Sequence, residues 1–65
     1  MNDKPKFTNQ EKHDAARREA GLRKYVYPNR VAAHKMTKQK AEYETAIMEE
    51  IAADYERLAA QERLI

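Results

Sequence analysis

The chain has 65 residues, 13 Lys or Arg against 11 Asp or Glu, and no cysteine. At that length it is one small domain at most, and it buries only roughly 60% of its unfolded surface, which leaves it marginally stable without help. Disulfides and thiolate metal sites are excluded, and no apolar run approaches the ~18 residues of a membrane span.

Oligomerisation, or docking on a larger partner, remains as the route to a core. The absence of cysteine suits a reducing compartment. Met1 to Lys4 holds no apolar signal region, so export is not expected. Charged residues make up 37% of the chain and glycine occurs once, a composition that favours long solvated helices. The charge is split. Met1 to Lys40 carries 11 Lys or Arg and 4 Asp or Glu; Ala41 to Ile65 carries 2 and 7. Two consecutive helical segments of opposite charge are expected to fold onto each other.

Residues 1–7 read as a polar, flexible tail. Thr8-Asn9-Gln10-Glu11 matches a capping box, in which the Thr8 hydroxyl accepts from the Glu11 amide and the Glu11 carboxylate reaches back to Thr8. Helix 1 is expected over about 9–33. Gly21 weakens it by ~1 kcal/mol relative to alanine. Pro28 removes one helical hydrogen bond and clashes with the preceding turn, which predicts a kink or break near Tyr25 to Tyr27. Pro28 can instead open a new short helix ending at His34.

Residues 34–37 form the expected turn, with His34 favourably placed at a helix C-terminus and Thr37 as the next N-cap. Met36 and Ala41 are spaced for a hydrophobic staple. Helix 2 is expected over about 38–64, with no Gly or Pro to interrupt it. Two helices of similar length joined by a short turn give an all-α, antiparallel two-helix hairpin over 8–65.

Helix 2 gathers Ile47, Met48, Ile51, Ala52, Tyr55, Leu58 and Ala59 on one wide arc, and Ile47, Ile51, Tyr55 and Leu58 are the expected core. Acidic rows flank the arc: Glu42, Glu49 and Glu56 on one side, Glu50 and Asp54 on the other. Ala46, Ala53 and Ala60 repeat every seven residues and read chiefly as surface alanines. Helix 1 carries two thinner apolar stripes, Ala15-Leu22-Val26-Ala33 and Ala16-Ala20-Tyr27-Val31. Two stripes need two neighbours. One is helix 2, and the other is a second copy or a foreign partner; a homodimer in the form of a four-helix bundle is expected.

Basic rows flank the second stripe: Lys12, Arg23 and Arg30 on one side, Arg17, Lys24 and Lys35 on the other. The candidate partner-binding residues are Arg17, Arg23, Lys24, Tyr25, Tyr27 and Arg30. Such a surface can neutralise phosphates and stack on bases, so nucleic acid is the alternative partner. Pairing with the acidic rows of helix 2 is the simpler use of these charges. Membrane binding is not expected, because helix 1 lacks a bulky apolar face.

His13 and His34 stand too far apart in one helix to share a metal, so no metal site is expected. Glu44 and Glu62 lie ~27 Å apart along helix 2, too far for paired acid–base work, and Glu44 is expected to pair with Arg30 or Tyr27. Serine and cysteine are both absent, and no loop cradles a phosphate. Neither catalysis nor a cofactor is therefore expected.

One pattern is more specific. Arg23-Lys24-Tyr25-Val26-Tyr27-Pro28-Asn29-Arg30-Val31, then Met36-Thr37, then Ala41 to Glu44, then Ile47-Met48-Glu49-Glu50-Ile51-Ala52-Ala53-Asp54-Tyr55, resembles a family of small uncharacterised bacteriophage and prophage proteins. In that family an arginine-rich stretch leads into Val-Tyr-Pro, a Met-Thr or Leu-Thr turn follows, and a Met-Glu-x-Ile-x-x-x-Tyr helix ends the chain. The resemblance covers roughly two-thirds of the sequence and excludes Thr8 to Gly21. It implies a phage or prophage origin and the cytoplasm of a bacterial host, and it brings no activity or binding residues with it. The expected role is a small accessory protein that acts by protein–protein contacts, as an adaptor or inhibitor of host or phage machinery.

Overall fold

In the computed structural model residues 5–64 are described. Two helices account for the fold: α1 spans Asn9–Ala32 and α2 spans Lys38–Arg63. They pack on each other as an antiparallel hairpin, and no strand occurs among the described residues. The expected tail falls partly outside those residues; Pro5 to Phe7 form neither helix nor strand. The molecule measures 47 × 29 × 15 Å. Its least extent is about one helix diameter, so the fold is a single layer.

Both helices start where their caps require. Thr8 has an extended backbone, its hydroxyl accepts from the Glu11 amide at 3.0 Å, and the Glu11 carboxylate accepts from the Thr8 amide at 3.0 Å. Thr37 caps α2 by accepting from the Lys40 amide at 3.1 Å. The bond from the Thr8 amide holds the Glu11 carboxyl below its ordinary pKa. A carboxylate with a lowered folded-state pKa stabilises the fold above its unfolded value and loses that contribution as pH falls through the folded one. Glu11→Gln should therefore flatten the acid side of a stability–pH curve, measured by thermal melts between neutral pH and pH ~3.

α1 ends in a Schellman motif. The Lys35 amide donates to the Arg30 carbonyl at 2.9 Å and the His34 amide to the Val31 carbonyl at 3.0 Å. That closure puts His34 at φ 59°, a left-handed conformation. The conformation costs a side-chain-bearing residue ~1–2 kcal/mol, while glycine adopts it freely but loses somewhat more backbone entropy on folding. His34→Gly is expected to stabilise the hairpin by ~0.5–1 kcal/mol, read as a raised melting temperature.

Pro28 does not break α1, and no second helix starts there. The helix runs on for four more residues, because only one hydrogen bond is forfeited. The group left without its in-helix donor is the Lys24 carbonyl.

The contact between the helices is a heptad seam. In α1 it consists of Asn9, His13, Ala16, Ala20, Arg23 and Tyr27; in α2 of Ala41, Thr45, Met48, Ala52, Tyr55 and Ala59. Both sets repeat at alternating spacings of four and three, and all twelve side chains are buried or half-buried. The fully buried members are all alanines: Ala16, Ala20, Ala41, Ala52 and Ala59. The expected core of Ile47, Ile51, Tyr55 and Leu58 is thus corrected. Tyr55 is half-buried, and Ile47, Ile51 and Leu58 are 38%, 36% and 42% exposed. The wide apolar arc of α2 serves two sides. Its alanine side faces α1, since methyl groups let two helix axes approach to the short end of the ~8–10 Å range. Ala46 and Ala53 are exposed, as surface alanines should be, whereas Ala60 is half-buried.

Candidate functional site

Each seam is bordered by two edges. Just after seam positions stand Gln10, Arg17 and Lys24 on α1, and Glu42, Glu49 and Glu56 on α2, with Arg63 continuing the α2 row seven residues on. Antiparallel packing brings these two rows together. The Lys24 ammonium lies 3.5 Å from the Glu49 carboxylate, and Arg63 donates to the Gln10 amide oxygen at 2.7 Å. The basic row Arg17–Lys24 thus lies alongside the acidic row Glu42–Glu49–Glu56, and Lys24–Glu49 is the one ion pair between the two rows among the described residues.

A groove of about 540 Å³ opens along this edge beside the turn. From α1 it is lined by Arg23, Lys24, Tyr27, Pro28 and Val31, and from α2 by Lys38, Ala41, Glu42, Thr45, Ala46 and Glu49. A second hollow of about 250 Å³ continues it toward the open end, lined by Arg17, Ala20, Gly21, Ala52, Ala53 and Glu56. Lys24 and Glu49 border both. The result is one elongated depression. Its middle is crossed by an exposed ion pair, which is worth little and opens readily. Pro28 matters here, because the Lys24 carbonyl it leaves without a donor belongs to a groove residue.

Arg23 fixes the groove wall. Its side chain is 18% exposed. Nε donates to Glu19 at 2.9 Å, and Nη1 donates to the Glu44 backbone carbonyl at 2.8 Å and lies 3.5 Å from the Glu44 carboxylate. The bond to Glu19 raises the Arg23 pKa further above its already high ordinary value, so the group stays charged at every accessible pH. The guanidinium also sits 5.9 Å from the centre of the Tyr27 ring and holds that ring at the seam. Glu44 takes Arg23 and, at 3.2 Å, Lys40 as its partners, in place of the expected Arg30 or Tyr27. Arg30 lies farther toward the turn on α1.

At the open end the seam is polar. Asn9 donates to Glu62, and His13 sits 3.2 Å from Asp14 and 4.0 Å from Glu56. Bonds from Gln10, and then from His13, lower the Asp14 pKa. Lys12 stands 5.6 Å over the Tyr55 ring. These contacts close the end of the hairpin and leave the groove to the turn-proximal half.

The six candidate partner-binding residues are therefore not one cluster. Arg23, Lys24 and Tyr27 line the groove, and Arg17 lines its continuation. Tyr25 is 79% exposed on the outer side of α1, away from both hollows. Arg30 is exposed near the turn and lines neither. Arg17, Arg30, Lys35 and Lys38 form no ion pair among the described residues, whereas Arg23 and Lys24 are paired across the helices. The sequence reading overlooked Lys38, Thr45 and Ala46 as groove residues. The signal that finds them is the four-three spacing from Ala41 to Ala59, which places position 46 just outside the seam on the charged edge.

Among the described residues no group of three His, Cys, Asp or Glu side chains is placed to hold a metal, and no helix is long and apolar enough to cross a membrane. Comparisons with protein-family models, with curated proteins and with solved structures find no match for this chain.

Proposed function

We propose that the protein is a small phage or prophage accessory protein of the bacterial cytoplasm that binds a protein partner in the elongated groove, as an adaptor or inhibitor of host or phage machinery. The observation that carries this reading is the groove's lining. Tyr27, Pro28, Val31, Ala41 and Ala46 supply apolar surface, while Lys24, Lys38, Glu42 and Glu49 supply charges of both signs. That mixture suits a helical or extended segment with an apolar stripe and charged flanks. A uniform phosphate backbone would be repelled by the two carboxylates. Affinity capture with the wild-type chain and with a Tyr27→Ala/Lys24→Glu variant tests it. A partner retained by the first and lost by the second is the expected result, and equal retention by both contradicts it.

One observation favours a nucleic-acid reading. From Pro28 to Ala41 the turn end carries Arg30, Lys35, Lys38 and Lys40 with no acid among them. Fluorescence anisotropy with labelled duplex and single-stranded oligonucleotides decides between the two. The protein reading expects weak or no binding at ~150 mM salt. Sub-micromolar binding there, with a log–log salt slope of about −0.9 per phosphate neutralised on a duplex, would make nucleic acid the partner.

A further inference from the structure

The edge opposite the groove is apolar. It is formed by residues just before the seam positions, Val26 on α1 with Ile51 and Leu58 on α2, and by Leu22 and Ile47 behind them. Antiparallel packing sets these on one side of the layer, since the Lys24–Glu49 and Gln10–Arg63 contacts fix the other. Leu22 is 58% exposed, and Ile47, Ile51 and Leu58 are all more than a third exposed. The charged residues of this face already have partners within the chain: Glu19 and Glu44 hold Arg23, and Lys12 lies over Tyr55. Its apolar side chains are left partly open to solvent.

We infer that this face binds a second copy of the chain, with the turn of each hairpin lying over the open end of the other. This goes beyond the groove reading and uses the opposite edge. Two observations choose the occupant. The first is area. The chain exposes 5606 Å². A compact monomer of 7.6 kDa exposes about 4300 Å², so the excess is about 1300 Å². A standard interface buries ~800 Å² on each partner, which a copy of this chain can cover out of that excess.

The second is charge. Pro28 to Ala41 carries 4 cations and no acid, a balance of +4. Residues 9–19 and 49–63, the open end, together carry 8 acids and 5 cations, a balance of −3. Stacked turn on turn, two hairpins would set like charges against each other. Stacked turn on open end, each positive end meets a negative one, and a two-fold axis across the layer makes both contacts at once.

Sedimentation equilibrium at ~100 µM should give twice the chain mass, with an apparent mass that falls on dilution. Ile47→Asp/Ile51→Asp, which leaves the alanine seam untouched, should abolish the association. If that variant does not fold, the wild-type mass still decides. Because the chain has no cysteine, orientation can be read from single-cysteine variants. Ala33→Cys lies near the turn and Leu58→Cys near the open end. Under oxidation a mixture of the two should cross-link to each other, and Ala33→Cys alone should not. A single-chain mass up to several hundred micromolar would overturn the inference while leaving the groove reading intact. A dimer that survives Ile47→Asp/Ile51→Asp in folded form, or rapid cross-linking of Ala33→Cys to itself, would overturn the face or the orientation.

Discussion

Ala52→Leu is expected to unfold the hairpin or splay its helices. Ala52 is 2% exposed and lies mid-seam. An isobutyl group there has no space unless the helix axes separate, and separation strips contact from Ala16, Ala20, Ala41 and Ala59 as well. Overpacking ordinarily costs ~1–3 kcal/mol, and a core of this size supplies no more than ~3–5 kcal/mol in total. The cooperative thermal transition followed by circular dichroism should be lost or shifted far down. Ala53→Leu is the control. Its site is exposed, so its effect should stay within ~0.5 kcal/mol. Equal stability of the two variants would mean that the helices do not meet through alanine.

Arg23→Ala is the second large effect. The side chain is held by Glu19 and by the Glu44 main chain at once, so its loss removes charge-assisted bonds from both helices and leaves their acceptors partly covered. A loss of ~1.5–3 kcal/mol is expected, read as a lower urea midpoint with an unchanged slope. Arg23→Lys should recover little, because one ammonium cannot reproduce the planar fork that reaches Glu19 and Glu44 together. Lys24→Ala, which removes only the exposed pair with Glu49, should cost less than ~1 kcal/mol.

The architecture was legible because it is written in local signals. The Thr8–Glu11 capping box, the Thr37 cap and the uninterrupted run after it place both helices, and the short turn between two helices of similar length folds them antiparallel. The composition of the seam was harder to read. Hydrophobic weight points to Ile47, Ile51 and Leu58, while close approach of two helices selects the smallest side chains, and Ala52 and Ala59 carry little weight on any hydrophobic scale. Seam position 23 is an arginine, which reads as surface until Glu19 and Glu44 are seen to flank it. The same effect splits the candidate site. Tyr25 and Tyr27 are neighbours in the chain, but at 100° per residue they lie on opposite sides of α1, so Tyr27 enters the groove and Tyr25 does not. No residue pattern in the chain names what the groove would take, since an open groove of mixed charge constrains the chemistry of an occupant and not its name.

Photo-cross-linking from defined positions in bacterial cells that express the protein tests the central claim most directly. Benzoylphenylalanine would replace Glu42 or Ala46, both exposed in the groove, and Tyr25 on the outer side of α1. The groove reading predicts a covalent adduct to one protein from positions 42 and 46, absent from position 25 and suppressed by Lys24→Glu. Equal labelling from all three positions, or adducts to nucleic acid in place of protein, would contradict it.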